Sequence, residues 1–385
     1  MSVMIKKEEI RKQRMMIFHP ALAPYRIDQF NLLNELFDLE VVFLFDNLRN
    51  FSFDQQKLQE ACHFKISYLL RGPRYKGRLF RFGMLRMIKK AQPDIVFSYE
   101  YSFTTQYLIF LKRTGLINQK IGSFVDDSLH ICNNVQSYAR KWARSYSIKH
   151  LDFLVVMSDE VARFHNTHFF LDDKEVIVSP ILQLPERLRK NRVKIEALAT
   201  GYISEYQLVG KKVALFVGRF VPEKALSLFI NRIADILSER DDYRFVLVGE
   251  GREKEQISAI VKAHQLEEKV ILPGKFQADE LYGWYACASG FILPSLFEPF
   301  GAVVNEALIF GLPVLCSQYA GASTLIQQGN GYLFNPSDDS DIVHKFSSFM
   351  ENIQVVERVD LSNTPPLIED HRSYFNKEWR KVSYG

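Results

Sequence analysis

Cysteine is scarce in this chain and what there is does not cluster. Cys62, Cys132, Cys287 and Cys316 form no C-x-x-C pair, which leaves a zinc knuckle or a thioredoxin-like motif without support and fits a reducing cytosol. No apolar run reaches the roughly 18 residues of a membrane span. The opening stretch, Met1 to Arg14, is charged and lacks the apolar core of a secretory signal. A cytoplasmic protein is therefore expected, at most peripheral on the inner face of the cytoplasmic membrane. Excess charge of one sign is lacking too. A net charge of +4 over 385 residues is too mild for a nucleic-acid partner without a concentrated basic face. The dinucleotide fingerprint is incomplete: Gly249-Glu250-Gly251 follows a strand pattern, but Lys254 stands where the third glycine belongs. That weighs against a nicotinamide-dependent oxidoreductase. No DxD-like pair follows a strand. His165 and His168 sit three apart with no carboxylate motif nearby, so they read as packing or surface residues rather than metal ligands.

What is present is an alternation of short apolar runs with helical stretches, the α/β pattern. Runs at Met15–His19, Glu40–Phe45, Asp94–Glu100, Lys120–Val125, Phe153–Ser158 and Val176–Pro180 form a first series. The pattern weakens between Leu182 and Gly210, where LPERLRKNRVK is charged and shows no strong apolar stripe; a boundary is expected there. A second series follows at Lys211–Gly218, Arg244–Gly249, Lys269–Gly274, Gly290–Ser295, Leu312–Ser317 and Gly331–Phe334. Short continuous apolar runs of this kind suit buried parallel strands. Ligands bind beyond the carboxyl ends of such strands, and two units facing each other would make a deep cleft. A final helix is expected at about Ser373–Lys381, with Tyr374, Phe375 and Trp379 as its burying face.

Two segments carry the chemistry. In FEPFGAVVNEALIFGLPVLCS, Phe297–Ser317, a turn at Pro299-Phe300-Gly301 precedes a helix expected from Ala302 to Phe310. Free N–H groups at such a helix start attract anions, and Gly301 lets the backbone approach a ligand. Glu298 could accept two sugar hydroxyls, and Glu306 both hydroxyls of a ribose. The plain alternative is a pair of solvated glutamates bracketing a helix. In ALFVGRFVPEKAL, Ala214–Leu226, Arg219 and Lys224 follow a strand that ends at Gly218. A guanidinium fork and a compact ammonium suit a diphosphate. The alternative is a solvated loop with a Glu223–Lys224 pair.

Taken in order and spacing, GRFVPEK, VGEGREKE, PGKF and FEPFGAVVNEA over Val213–Phe334 resemble the retaining glycosyltransferases of family 4 (glycosyl transferases group 1). PALAPYRIDQFNLL, DIVFSYE and SFVDDS match the family's first half more weakly. The resemblance implies a GT-B fold, α/β with two Rossmann-like domains whose parallel sheets face a central cleft. The first would span 1–185 and bind the acceptor, with the tail 365–385 packing back on it. The second, 205–364, would bind the donor. The resemblance implies a hexosyl-type, retaining, metal-independent transferase with no cofactor, using a UDP-sugar or GDP-sugar as co-substrate. Arg219 and Lys224 match positions that hold the donor diphosphate. Glu306 matches the ribose-binding residue and Glu298 the one contacting the transferred sugar. Gly218, Phe300, Gly301 and Ala302 would bring backbone against the donor. Tyr25 and Arg26 would stand on the acceptor side. Many relatives carry a histidine after the strand that here reads SFVDD; this chain has Asp126 and Asp127, with His130 further on. Asp126 is taken as a catalytic candidate and His130 as an acceptor-side one.

The segment RGPRYKGRLFRFGMLRMIKK, Arg71–Lys90, is rich in Lys and Arg and has no acid. Its Phe80, Phe82, Met84, Leu85, Met87 and Ile88 could meet an anionic membrane or a lipid-linked acceptor, or simply pack on a core with a solvated basic face. Assembly of a lipid-linked bacterial surface or capsular polysaccharide is the role expected. The competing class is a non-catalytic nucleotide-sugar or glycan binder on the same fold.

Overall fold

The computed structural model describes residues 11–47, 53–75, 78–169, 171 and 175–384. They form two compact units. The first comprises Met1–Val125, Val135–Ser179 and Arg372–Gly385, and the second Asp126–Asn134 and Pro180–His371.

The first unit is built on seven strands: β1 (Arg14–His19), β2 (Asp38–Phe43), β3 (Lys65–Tyr68), β6 (Ile95–Tyr99), β7 (Lys120–Val125), β8 (Phe153–Val156) and β9 (Glu175–Val178). The pair β4 (Arg74–Tyr75) and β5 (Arg78–Leu79) forms a separate antiparallel ribbon. The sheet runs β3-β2-β1-β6-β7-β8-β9, parallel throughout. Its inner strands are mostly apolar because both faces are covered. On one face Met16, Phe18, Val42, Val96 and Ile121 meet Met84, Ile88, Leu108 and Ile109 in one core cluster. On the other lies the C-terminal helix, Arg372–Tyr384. Its Trp379 is fully buried and touches the rings of Phe37, Phe97, Phe124 and Phe375. The indole N–H donates to Ser179 Oγ at 3.1 Å, and Glu378 accepts the Val178 N–H at 2.9 Å. Gly122 makes room for this aromatic stack: a Cβ there would stand 2.3 Å from the Phe97 ring.

The second unit holds six strands: β10 (Lys212–Val217), β11 (Tyr243–Val248), β12 (Val270–Gly274), β13 (Gly290–Leu293), β14 (Val314–Ser317) and β15 (Gly331–Phe334). They run β12-β11-β10-β13-β14-β15, again all parallel. The stretch with the weakened pattern is not a linker. It is helical at Pro185–Leu188 and Arg192–Glu205 and belongs to this unit. Ile195, Ala199 and Ile203, spaced by four, are buried, and Tyr202 stacks on Trp284 at 4.4 Å. The charged start of the segment masked that stripe.

Candidate functional site

In the second sheet, β10 is followed on one side by β11 and on the other by β13. The crevice of an open parallel sheet opens where the order reverses, so the loops leaving β10 and β13 matter most. Those loops carry Arg219, Lys224, Glu298 and Gly301.

The first loop is braced from below. Gly218 N–H donates to Val248 O, Phe220 N–H to Glu250 O and Glu253 N–H to Phe220 O, at 3.0, 2.9 and 3.0 Å. Gly249 and Gly251 are what this brace requires. A Cβ at Gly249 would lie 1.8 Å from Gly218 O, and one at Gly251 2.2 Å from Phe220 O. The two glycines that hinted at a dinucleotide fingerprint thus hold the Arg219 loop in place. Arg219 itself is exposed and forms no ion pair among the described residues. A 3₁₀ turn, Pro222–Lys224, then brings Lys224 back.

The second loop meets the first. Leu296 and Phe297 N–H both donate to Glu223 O, at 3.0 and 3.2 Å, and Lys224 Nζ pairs with Glu298 Oε2. Ser295 Oγ donates to the same oxygen at 3.3 Å. Behind the turn, Ala322 N–H donates to Phe300 O at 2.7 Å, and a Cβ on Gly321 would lie 2.2 Å from Pro299 O. Phe300 is buried; it anchors the turn rather than facing out. Gly301 takes φ +98° and no side chain caps the helix Ala302–Ile309. Val304 N–H donates to Gly301 O at 3.0 Å; the N–H groups of Ala302, itself half-buried, and Val303 are left at the helix start for an anion.

About one turn along, Glu306 is buried. Its carboxylate accepts Gln183 Nε2 at 2.7 Å and Tyr285 OH at 2.9 Å. Burial pushes its pKa up, against the pull of the Gln183 and Tyr285 hydrogen bonds and of Arg187. Arg187 in turn donates to Gln183 Oε1 at 2.8 Å, and Gln183 N–H to Asn305 Oδ1 at 2.7 Å. Sequence reasoning missed Gln183, Asn305 and Tyr285. They lie 123, 122 and 21 positions from their partners, and no local pattern marks them.

The remaining candidates are distributed as follows. Tyr25 is half-buried. Arg26 is 1% exposed and donates to Gln29 Oε1 at 2.5 Å. Asp126 is half-buried directly after β7. His130 stacks on Tyr319, ring centroids 4.0 Å apart, within the second unit. Burial lowers its pKa. His165 is fully buried: Nδ1–H donates to Val161 O at 2.8 Å, and Nε2 accepts Tyr101 OH at 3.1 Å. Both ring nitrogens are spoken for. Among the described residues no group of His, Cys, Asp and Glu could hold a metal ion, and no helix is long and apolar enough to cross a membrane.

Two Rossmann-like units, each built on a parallel sheet, are the architecture of the GT-B fold. Comparison with known proteins agrees. Residues 204–363 match the model of the glycosyl transferases group 1 family. The chain is 28% identical over 163 residues to a 2-deoxystreptamine N-acetyl-D-glucosaminyltransferase of Niallia circulans, covering 42% of each chain. It is 24% identical to an uncharacterized glycosyltransferase of Methanocaldococcus jannaschii, over 96% of this chain and 94% of that one. The Niallia match thus spans less than half of the relative's length. Anabaena HepE, solved in complex with UDP-glucose, has the same fold, with a TM-score of 0.67 over 96% of this chain and 100% of that one, at 15% identity.

Proposed function

We propose that this protein transfers a sugar from a nucleoside diphosphate sugar to an acceptor hydroxyl, with retention of anomeric configuration. The observation that carries the reading is the convergence of Arg219, Lys224, Glu298 and the Ala302 helix start at the β10/β13 crevice. As the sugar leaves, negative charge grows on the departing phosphate, and fixed cations and N–H groups aimed at it lower the barrier. Arg219 meets the diphosphate directly. Lys224 starts bound to Glu298, so the diphosphate competes for it, and donor binding releases the Glu298 carboxylate to the sugar hydroxyls. Glu306 takes the ribose hydroxyls. Once released, Glu298 is engaged with the sugar hydroxyls rather than poised as a nucleophile, and the leaving phosphate oxygen takes the acceptor's proton on the same face. Protein cations fill the place a metal would take. The UDP-glucose complex of the Anabaena protein supports a UDP-sugar over a GDP-sugar as the first donor to try. We further read the acceptor as lipid-linked, in surface or capsular polysaccharide assembly on the cytoplasmic side.

A donor screen by thermal shift, followed by measurement of nucleoside diphosphate release, tests the reading. Hydrogen bonds to charged groups are worth about 1.5–3 kcal/mol, and losses confined to the transition state act on rate. Arg219→Ala and Lys224→Ala should each lower kcat/KM by at least about tenfold with melting unchanged. Folded variants with near-normal rates would remove the diphosphate assignment. Product NMR showing an inverted linkage would remove retention. Binding without turnover would favour the non-catalytic reading.

A further inference from the structure

Surface helices of globular proteins turn polar residues outward; one face of the first unit does not. The helix Phe103–Arg113 buries Thr105, Leu108, Ile109 and Leu111, yet its opposite side shows Phe103, Tyr107 and Phe110 to solvent, Phe110 at 54%. Their spacing of four and three puts them on one stripe. At its start the stripe is extended by Phe80, whose ring lies 4.5 Å from that of Phe103, and by the exposed Phe82. At its end Arg113 donates to Tyr146 OH at 3.1 Å, joining the neighbouring helix Tyr138–His150. There Trp142 is 63% exposed and Tyr138 88%.

The two helices of this face carry charge of one sign, although Glu100 and Asp152 beside them pair with Arg140 and Lys112. Neither helix contains an acidic residue, while the second carries Arg140, Lys141, Arg144 and Lys149. Lys141 sits over the Tyr138 ring at 5.8 Å. By contrast, the helix Met84–Ala91, which the sequence offered as a membrane element, turns Met84 and Ile88 into the core. Among the described residues of the Arg71–Lys90 run, Phe80 and Phe82 are the exposed large apolar ones.

Contiguous exposed aromatics mark an interaction surface. Trp and Tyr interleaved with Lys and Arg, on helices that contain no acid, complement an interface of apolar chains beneath anionic headgroups. We propose that this face is a docking surface for an anionic bilayer, with Phe110, Trp142 and Tyr138 at headgroup depth and Lys141, Lys149 and Arg113 against lipid phosphates. The inference deepens the lipid-linked reading of the acceptor, on which its biological sense rests, but its evidence is this surface alone.

Co-sedimentation of the full chain with vesicles tests it, using phosphatidylcholine alone and phosphatidylcholine with one-third phosphatidylglycerol. Binding should be confined to the anionic vesicles and weaken as salt rises. The double variant Phe110→Ser, Trp142→Ser should lose at least about tenfold in partitioning, from the apolar area withdrawn. Lys141→Glu should lose about fivefold or more, for one surface charge reversed. Both sites are exposed, so melting should hold. Thermal shift by nucleotide, measured in parallel, should be unchanged; this separates failure of docking from failure of the transferase reading. Equal binding to neutral vesicles, variants that bind like the parent, or aromatic substitutions that change only the oligomeric state in ultracentrifugation would each overturn the proposal.

Discussion

Both sheets reverse their strand order at one point, between β1 and β6 in the first unit and between β10 and β13 in the second. The loops that leave those two points are furnished differently. In the first unit charge is settled internally: Arg26 is buried against Gln29, and Glu100, held at φ +53° just after β6, pairs with Arg140. His19 at the end of β1 has its pKa pushed well down by burial and by Arg26, so it is a neutral ring. In the second unit Arg219 stands exposed and a helix start is left uncapped. On the function proposed above, the second point would take the anion and the first the uncharged acceptor. One sheet topology thus carries two differently charged loop sets, and the difference lies in a few loop residues.

The largest expected effect sharpens the contrast in how the units are held together. Trp379 closes one face of the first sheet from a helix some two hundred residues distant in sequence from its partner Ser179. Trp379→Ala should cost about 3–5 kcal/mol, the usual toll of emptying a buried Trp site. Hydrogen exchange should rise in β1 and β6. A melting temperature and exchange pattern like the parent's would show that the helix is dispensable.

How much of this was legible beforehand varies with the kind of signal. Strands buried on both faces announced themselves as apolar runs, in both units. β3 did not: Lys65–Tyr68 is an edge strand with no fully buried residue, and its sequence KISY has no run to see. The helix Arg192–Glu205 was hidden by its basic first turn. At the site, Arg219, Lys224, Glu298 and Glu306 could be picked out because each sits in a compact segment. The groups that hold them could not, because Gln183, Tyr285 and the Gly249 brace act through contacts made only on folding. The Lys224–Glu298 pair was likewise invisible, since the sequence paired Lys224 with its neighbour Glu223.

A pH titration probes the neutral histidines of the first unit. Burial, its main cause, lowers the His165 pKa to about 4, against about 6.5 in an unfolded chain. The unfolded state therefore binds the proton first as pH falls. The stability this contributes is fully present above pH 6.5 and drains away between there and about 4. At 1.36 kcal/mol per unit the loss is on the order of 3 kcal/mol. His165→Gln should flatten the melting profile across that window. An unchanged slope would place the acid sensitivity elsewhere, with His19 the next candidate.

The smallest effect concerns Glu306, a buried ionisable group of the second unit. Its carboxyl titrates above the ordinary range because burial disfavours the charge. Ribose hydroxyls donate hydrogen bonds, so the ionised form is the better acceptor. Nucleotide affinity should therefore hold at neutral pH and fall as pH drops through that raised range, with the ionised form lost earlier than for an exposed glutamate. The ribose stays bound from ground state to transition state, so the interaction is a uniform one. Glu306→Ala should raise the donor KM by about tenfold, for the loss of one charged hydrogen-bond acceptor, with kcat little changed. That is the reverse of the pattern expected for Arg219 and Lys224. Glu306→Gln should also remove the acid slope of nucleotide binding, measured by calorimetry across pH 4 to 8. Tyr285→Phe takes away one donor to the carboxylate and should move the slope to still higher pH. If Glu306→Ala instead lowers kcat and spares KM, the carboxylate acts on the departing charge, and the division of labour between ribose and diphosphate within this site would have to be redrawn.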